Sequence, residues 1–317
     1  MRVLRSLRRV AAFVLLLASL ASGLAYGAPP RTVAVLYPET HPPYRQIFAD
    51  VLDGIERGLT VETVRVRALS EAPEGADLRR WLDQQAPAVV ITLGRVPTET
   101  YERIGPNIPH VVGALDASPQ TRPNVAGVGL AVDPALLFAT LQRLSPATRR
   151  VWVVFDPAHD RWLIDLAQPA AAALHLKVQP LEATDLREAA RQFLYILETA
   201  EPATDALWLV ADTAVVDSET ILPLLVEQGW KRRLVIFSNS LLHAKRGTLF
   251  ALYPDNVQLG RRLAELALRM LRDAGARSGI EPLRAVKRVL NLKIAAHLEL
   301  GVTQDVERQF DLVLPPW

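Results

Sequence analysis

The chain of 317 residues contains no cysteine, and this absence removes several classes of function at once. Disulfide bonds, thiolate metal sites and cysteine nucleophiles are excluded. No G-x-S-x-G, P-loop, G-x-G-x-x-G or H-E-x-x-H motif is present either, and the six histidines are scattered along the chain. We therefore expect a protein that is not an enzyme and that needs no cofactor.

A strong excess of positive charge is also lacking once the N-terminus is set aside. Residues 1–27 carry four arginines and no acid, and their apolar stretch of about 16 residues is shorter than the roughly 20 that a membrane span needs. This pattern predicts a cleaved signal peptide over 1–27, with an uncleaved membrane anchor as the alternative. The remaining chain has 32 basic and 34 acidic residues, so we expect no nucleic-acid partner. Without a cysteine to carry a lipid, the exported protein is expected to be free in a periplasm.

The chain is long enough, and apolar enough, to form two lobes. A single core stops growing at roughly 250 to 300 residues, and half of this sequence is hydrophobic. Apolar runs of strand length, from "TVAVLY" to "GTLFALY", alternate with amphipathic segments, which is typical of parallel α/β units. The first such segment places Ile47, Val51 and Ile55 on one face, and we expect this helix to pack on a sheet.

Polar loops follow the predicted strands. In open parallel sheets, ligands bind at the carboxyl ends of the strands, where helix N-termini present free backbone N–H groups. The stretch from Pro38 to Tyr44 lies at this edge, with an ordinary proline-rich turn as the alternative. The predicted ligand-binding residues in these loops are His41, Tyr44, Gly94, Arg95, Thr98, Asp116, Asp156, His159, Asp212, Thr213, Ser238 and Asn239.

Two of these loops predict an anchor for each end of an amino-acid-like ligand. Arg95 and Thr98 begin a short helix, where a cation, a hydroxyl and the helix dipole favour a carboxylate. Asp212, in the other lobe, is expected to accept a hydrogen bond from a ligand ammonium or hydroxyl group. The alternative for Arg95 is a surface pair with Glu99, four residues further on.

Two other features have competing interpretations. Asp156, His159 and Asp160 form the tightest polar cluster and could ligate a metal, but the pattern favours a solvated helix start, so we predict no metal site. Trp162 follows the same loop, and it either stacks on a ligand or packs on a helix face.

Several stretches occur in an order that is more specific than any one of them: "HPPYRQIFADVLDGIERGL", "TLGRVPTET", "ALDASPQTRPNVAGVGL" and "LWLVADTAVVDSE". Together they resemble the periplasmic substrate-binding proteins of ABC importers, in the branch with a type I periplasmic-binding fold that includes aromatic amino acid binders. The resemblance covers nearly all of residues 32–305. Gly94-Arg95 and Asp212-Thr213-Ala214 depart from the Gly-Thr and Asp-Asn-Thr of that family, so the fold carries over better than the ligand.

The resemblance implies an α/β fold of two Rossmann-like lobes with parallel-sheet cores, joined by a three-crossing hinge. It places the first lobe at 31–145 plus 250–282 and the second at 146–249 plus 283–317. The expected function is capture of a small polar molecule by lobe closure, followed by delivery to a membrane permease, with the protein acting as a monomer. A sensory binding protein that reports its ligand to a membrane kinase or cyclase is the alternative.

Overall fold

The structure is a computed structural model that describes residues 31–42, 44–273 and 279–315. The signal peptide predicted for residues 1–27 lies outside the described residues. Residues Thr32–Trp317 cluster as one unit. Among the helices that the structure describes, none combines the length and the apolar character that a membrane span requires.

The described chain alternates strands and helices, as the sequence pattern predicts. The strands are β1 (Thr32–Pro38), β2 (Thr63–Leu69), β3 (Val89–Leu93), β4 (His110–Leu115), β5 (Ala126–Val132), β6 (Arg150–Phe155), β7 (Lys177–Glu182), β8 (Asp205–Leu209), β9 (Val235–Ser238), β10 (Phe250–Pro254), β11 (Ile280–Leu283), β12 (Val286–Asn291) and β13 (Leu312–Leu314). The helices are α1 (Tyr44–Gly58), α2 (Gly75–Gln85), α3 (Arg95–Ile104), α4 (Pro134–Leu144), α5 (Arg161–Ala172), α6 (Leu186–Thr199), α7 (Ile221–Arg232), α8 (Leu241–Arg246), α9 (Asn256–Arg272), α10 (Leu292–His297) and α11 (Gln304–Glu307).

These strands form two sheets. The first has six strands in the order β11-β5-β4-β3-β1-β2, and the second has seven in the order β13-β12-β10-β9-β8-β6-β7. Paired strands run parallel throughout, apart from β10 and β12, which are antiparallel. Every residue of β3 and of β8 is buried, as expected for strands that helices cover on both faces. The predicted fold class is therefore confirmed.

Helix α1 packs chiefly against α9. It buries Val51 and Ile55 in the same core as the residues of β1, while Ile47, predicted for the same face, stays exposed. The two helices approach closely because each has a glycine at the contact. A Cβ atom on Gly54 would lie 2.0 Å from the carbonyl oxygen of Val257, and one on Gly260 would lie 2.0 Å from that of Val51.

The chain passes between the sheets three times: after β5, after β10 and after β11. The passages are hydrogen bonded to one another. The Asp133 N–H donates to Leu283 O at 2.9 Å, and the Asp255 N–H donates to Ala285 O at 2.9 Å. Arg284 also forms an ion pair with Asp133, which caps α4. These adjacent segments form the hinge.

The lobes therefore divide differently from the boundaries predicted at 145 and 250. Helix α4 packs on α5, which in turn packs against β7 of the second sheet. Phe138 in α4 contacts Trp208 and Phe237 edge-on, with ring centroids 5.7 and 6.5 Å apart. Strand β10 pairs with β9 and β12 in the second sheet. We call 31–132 with 256–283 the first lobe, and 133–255 with 284–315 the second lobe. The turn at Ser145-Pro146 ends a helix but does not end a lobe.

Candidate functional site

A cavity of about 420 Å³ lies where the carboxyl ends of strands from both sheets face each other. The first lobe contributes Asp116, which follows β4, and residues from the end of β5. The second lobe contributes residues that follow β6, β8 and β9, together with Leu163 on the first turn of α5. The polar lining residues are Asp116, His159, Asp160, Asp212, Thr213 and Asn239.

The loop after β6 holds its side chains in a tight turn. Asp156 accepts a hydrogen bond from the Ala158 N–H at 2.8 Å, and its carbonyl oxygen accepts from the N–H groups of His159 and Asp160 at 3.2 and 2.8 Å. His159 Nδ1 lies 3.1 Å from the second carboxylate oxygen of Asp156. Asp160 is the N-cap residue of α5, but its side chain makes no capping hydrogen bond. The Asp160 side chain therefore caps no N–H group of the helix, and the residue belongs to the cavity lining.

Asp212 occupies the equivalent position after β8. Its Oδ1 accepts from the Ala214 N–H at 2.8 Å, which fixes the orientation of the carboxylate. Its Oδ2 is buried without a hydrogen-bond partner and lies 4.0 Å from His159 Nδ1, too far for a hydrogen bond. One oxygen of this side chain is thus bonded to the loop, and the other has no hydrogen-bond partner.

Three acceptor oxygens on the wall from the second lobe are buried and unpartnered: Asp160 Oδ2, Asp212 Oδ2 and, as the amide is oriented here, Asn239 Oδ1. The described residues contain five such buried side-chain atoms, and the residues that carry these three all belong to the lining of one cavity. The other two are Arg122 Nε and Trp208 Nε1, neither of which belongs to the lining. A buried acceptor without a donor costs roughly 1 to 3 kcal/mol, so this wall is suited to a ligand that brings hydrogen-bond donors.

The carboxylates of the two lobes also influence each other. Burial raises the pKa of Asp160 to about 7, and the negative charges of Asp212, Asp116 and Asp156 add to this effect. Burial is likewise the main cause of the raised pKa of Asp116, with a further contribution from Asp212 and an opposing one from His159. No lysine or arginine is present among the described lining residues. The described lining therefore combines three carboxyl groups with one histidine.

Part of this wall has the composition of a cation site. One ligand atom each from Asp156, His159 and Asp212 lies within 4.8 Å of the other two. Carboxylate oxygens and imidazole nitrogens ligate divalent metals, but the same oxygens accept equally well from an ammonium group. This arrangement is suited to a positively charged group, but it does not distinguish a metal ion from an ammonium group.

The residues predicted in the loop after β3 lie apart from the lining. The Arg95 side chain is 73% exposed, and its Nη1 is 3.9 Å from the Glu99 carboxylate, which is the geometry of the surface pair. The Thr98 hydroxyl is buried and donates to Gly94 O at 2.7 Å. It also lies 2.8 Å from the Thr92 hydroxyl. Gly94 precedes α3 with φ of +76°, a conformation that suits glycine.

Other predicted residues are distributed between surface and core. His41 is exposed, and Tyr44, the first residue of α1, is 61% exposed. Ser238 is fully buried, where its hydroxyl donates to Leu209 O at 2.9 Å and lies 2.7 Å from His243 Nδ1. Trp162 belongs to the buried core, in agreement with the packing interpretation.

The structure thus brings five of the twelve predicted residues to one cavity: Asp116, His159, Asp212, Thr213 and Asn239. Asp156 supports the cavity by holding the ring of His159. The sequence pattern indicates Asp160 only as a possible metal ligand. Its place at a helix start, directly after the loop that follows a strand, is the signal that could have identified it as a ligand-binding residue. No sequence feature indicates a binding site at three apolar residues of the lining, Leu130, Leu163 and Pro254.

Two α/β lobes, a hinge of three adjacent segments and a cavity at the facing strand ends define the class of type I periplasmic-binding folds. Within this class, the family model described as "ABC transporter substrate binding protein" matches residues 33–311. The chain belongs to the ABC transporter substrate-binding protein family. A search of curated protein sequences gave no match.

Solved structures share the fold at low sequence identity. The ligand-free, open structure of CD0873, a substrate-binding protein from Clostridium difficile, has a TM-score of 0.64 at 13% identity, with 89% of this chain and 99% of that chain covered. An ABC domain from Streptococcus pneumonia in complex with L-Trp has a TM-score of 0.57 at 17% identity, with 90% and 100% covered. A conserved domain protein from Vibrio cholerae has a TM-score of 0.55 at 16% identity, with 89% and 99% covered.

Proposed function

We propose that this protein is the exported solute-binding component of an ABC importer, which captures a small molecule between its lobes in the periplasm and delivers it to a membrane permease. Family membership supports the transport role. The observation that carries the proposal for this chain is that three lining residues from the second lobe each have a buried acceptor oxygen without a hydrogen-bond partner.

The wall from the second lobe is the principal ligand anchor in this proposal. Asp212 Oδ2 and Asp160 Oδ2 accept hydrogen bonds from ligand ammonium or hydroxyl groups, and Asn239 adds a third acceptor. Charge-assisted hydrogen bonds of this kind contribute about 1.5 to 3 kcal/mol each when they are shielded from water. Arg95, predicted from sequence as a carboxylate anchor, is solvated and lies near Glu99, so we assign it no part in recognition.

Ligand capture is expected to close the lobes. The hinge consists of three segments joined by main-chain hydrogen bonds, which allow rotation of one lobe against the other with small changes in each segment. Closure removes water from the cavity and strengthens the hydrogen bonds to the ligand. The closed state is populated only to the extent that the ligand binds it better than the open state.

A solute screen followed by scattering tests the proposal. The mature protein is heated with individual amino acids, amines, small carboxylates, sugars and nucleosides, because a solute at 100 times its dissociation constant adds about 2.7 kcal/mol to the free energy of unfolding. Stabilising solutes are then examined by small-angle X-ray scattering, where we expect a smaller radius of gyration. A screen without any stabilising solute, or stabilisation that Asp212→Asn leaves unchanged, would contradict the proposal.

A further inference from the structure

The charged groups of the cavity lining indicate the charge of the ligand, in addition to the hydrogen-bond donors that the ligand must supply. Its described lining contains three carboxylates, Asp116, Asp160 and Asp212, and no lysine or arginine. A fourth carboxylate, Asp156, lies directly behind His159. A neutral sugar or nucleoside brings no positive charge to these groups, so closing the lobes around it would either bury negative charge or require the acids to bind protons.

A zwitterionic amino acid fits this lining poorly. Its ammonium group matches the wall from the second lobe, but its carboxylate would then enter a cavity whose described lining already has acids on both sides. Arg95 does not relieve the conflict, because it points into solvent near Glu99. A carboxylate brought into a closing site without a cation costs several kcal/mol.

The acids are distributed over both lobes. Asp160 and Asp212 belong to the second lobe and, with Asn239, supply three unpartnered acceptor oxygens. An ammonium group has three N–H donors, which is the same number. Asp116 follows β4 of the first lobe, on the opposite wall, and its carboxyl group feels the charge of Asp212 across the cavity.

We infer that the ligand is a small organic dication, such as a diamine or a longer polyamine, with one ammonium group held by Asp160, Asp212 and Asn239 and the other by Asp116. This inference rests on the proposed function, since it assumes that the cavity is the solute site. It assigns Asp116 a role that a singly charged ligand would not require.

The same arrangement makes closure depend on the ligand. Closing the lobes brings Asp116 towards Asp160 and Asp212, and like charges repel more strongly as water leaves. A dication between the walls replaces this repulsion with attraction on both sides. A monocation neutralises one wall and leaves the other unpaired, so it is a weaker closing ligand.

The test is calorimetric titration with a matched set of probes in buffer containing a metal chelator. The set comprises 1,4-diaminobutane and spermidine, with 1-aminobutane, 4-aminobutanoate, 1,4-butanediol and L-tryptophan as comparisons of lower positive charge. We expect 1,4-diaminobutane or spermidine to bind at least tenfold more tightly than every comparison compound. Equal or tighter binding of 4-aminobutanoate or L-tryptophan would overturn the inference.

Asp116→Asn separates the second ammonium site from the first. We expect this variant to weaken binding of the diamine or spermidine by about 10- to 100-fold and to change the weak binding of 1-aminobutane by less than threefold. Asp165→Asn, which removes an exposed carboxylate of α5 outside the lining, is the matched control and should bind like the wild type. Unchanged dication affinity in Asp116→Asn would overturn the inference.

Two further outcomes distinguish this inference from the proposed function. If the amines fail but another solute of the thermal screen stabilises and contracts the protein, the dication inference is wrong and the solute-binding function stands. If no solute in that screen acts, both fail. A parallel titration with MgCl₂ or ZnCl₂ without chelator covers the remaining case, because tight metal binding that 1,4-diaminobutane cannot displace would replace the dication by a metal ion.

Discussion

Two regions use their buried polar side chains in different ways: the network around Thr92 in the first lobe and the cavity wall from the second lobe. Behind β3 of the first lobe, the Thr92 hydroxyl lies 2.8 Å from both the Thr98 hydroxyl and His110 Nε2, and Thr98 also donates to Gly94 O. Tyr101 packs on the ring of His110 and donates to Ile108 O at 2.9 Å. On the wall from the second lobe, by contrast, Asp160 and Asp212 each keep one oxygen without a partner.

This difference separates the polar residues that stabilise the fold from those that lack a hydrogen-bond partner within the protein. A hydrogen bond within the protein contributes roughly 1 kcal/mol to stability, whereas an unpartnered buried acceptor lowers it. Burial lowers the pKa of His110 to about 3, so this ring stays neutral and serves its network. Burial instead raises the pKa of Asp160 to about 7, which means that ionising this carboxyl group lowers the stability of the folded protein.

The largest effect is expected from Asp212→Asn. The substitution keeps the size of the side chain but removes the charge, and it should weaken binding of the best solute from the thermal screen by about 10- to 100-fold. Titration calorimetry measures the affinity, and the unfolding temperature without ligand verifies the fold. Asp165→Asn is the control for loss of one carboxylate. Wild-type affinity in a folded Asp212→Asn protein would remove the contrast between the lobes.

Thr98→Val should produce the converse result. It is nearly isosteric, removes a buried hydroxyl that serves Gly94 and Thr92, and should lower the free energy of unfolding by about 1.5 kcal/mol. Ligand affinity should change by less than twofold, because the hydroxyl already has its partners within the lobe. Urea denaturation and calorimetry on the same preparation give the two values. A large loss of affinity with unchanged stability would show that the first lobe also contacts the ligand through Thr98.

Asp160→Asn should increase stability at neutral and alkaline pH. In the unfolded chain the Asp160 carboxyl group ionises near pH 4, but its pKa in the folded protein is about 7. The folded protein therefore holds a proton that the unfolded chain has lost, and the wild type loses stability as the pH rises from about 4 to about 7. Asparagine does not titrate and remains a good N-cap residue.

The ligand-free variant should accordingly unfold a few degrees above the wild type at pH 8, since about 1 kcal/mol corresponds to roughly 2 to 4 °C in a protein of this size. At pH 4.5 the difference should be much smaller. Thermal unfolding monitored by circular dichroism at both pH values provides the measurement. A difference that is the same at both values, or that grows on acidification, would mean that Asp160 is not a strained buried acid.

Arg95→Ala should have the smallest effect. The side chain is solvated, and exposed ion pairs contribute under about 1 kcal/mol to stability. We expect ligand affinity to change by less than twofold and the unfolding temperature by no more than a degree or two. A tenfold loss of affinity would instead restore the carboxylate anchor predicted from the sequence, and would add the start of α3 to the residues that recognise the ligand.

The fold could be predicted from sequence because its signals are local and repeated. Alternating strands and helices with helix starts such as Asp133-Pro134 indicate parallel α/β units, and the order of motifs indicates how they are arranged. The lobe boundaries could not be placed correctly in the same way. Helix α4 belongs to the second lobe because Phe138 is buried against Trp208, a contact between residues 70 positions apart.

The candidate site was predictable as an edge of the sheets but not as a set of side chains. Asp212 and Thr98 have similar positions after buried strands, and only the structure shows that one carboxylate oxygen is free while the hydroxyl is bonded internally. Hydrogen bonds between distant segments determine this, as with Ser238 and Leu209, 29 residues apart. Sequence patterns contain no direct signal for such partnerships.

The most direct test of the central claim is a crystal structure of the protein with the tightest-binding solute from the thermal screen. We expect the solute to lie between the lobes, with donor atoms within 3.2 Å of Asp160 Oδ2, Asp212 Oδ2 and Asn239 Oδ1, and Arg95 to remain in solvent. A solute bound through Arg95, Tyr44 or His41 while these three oxygens stay without partners would contradict it.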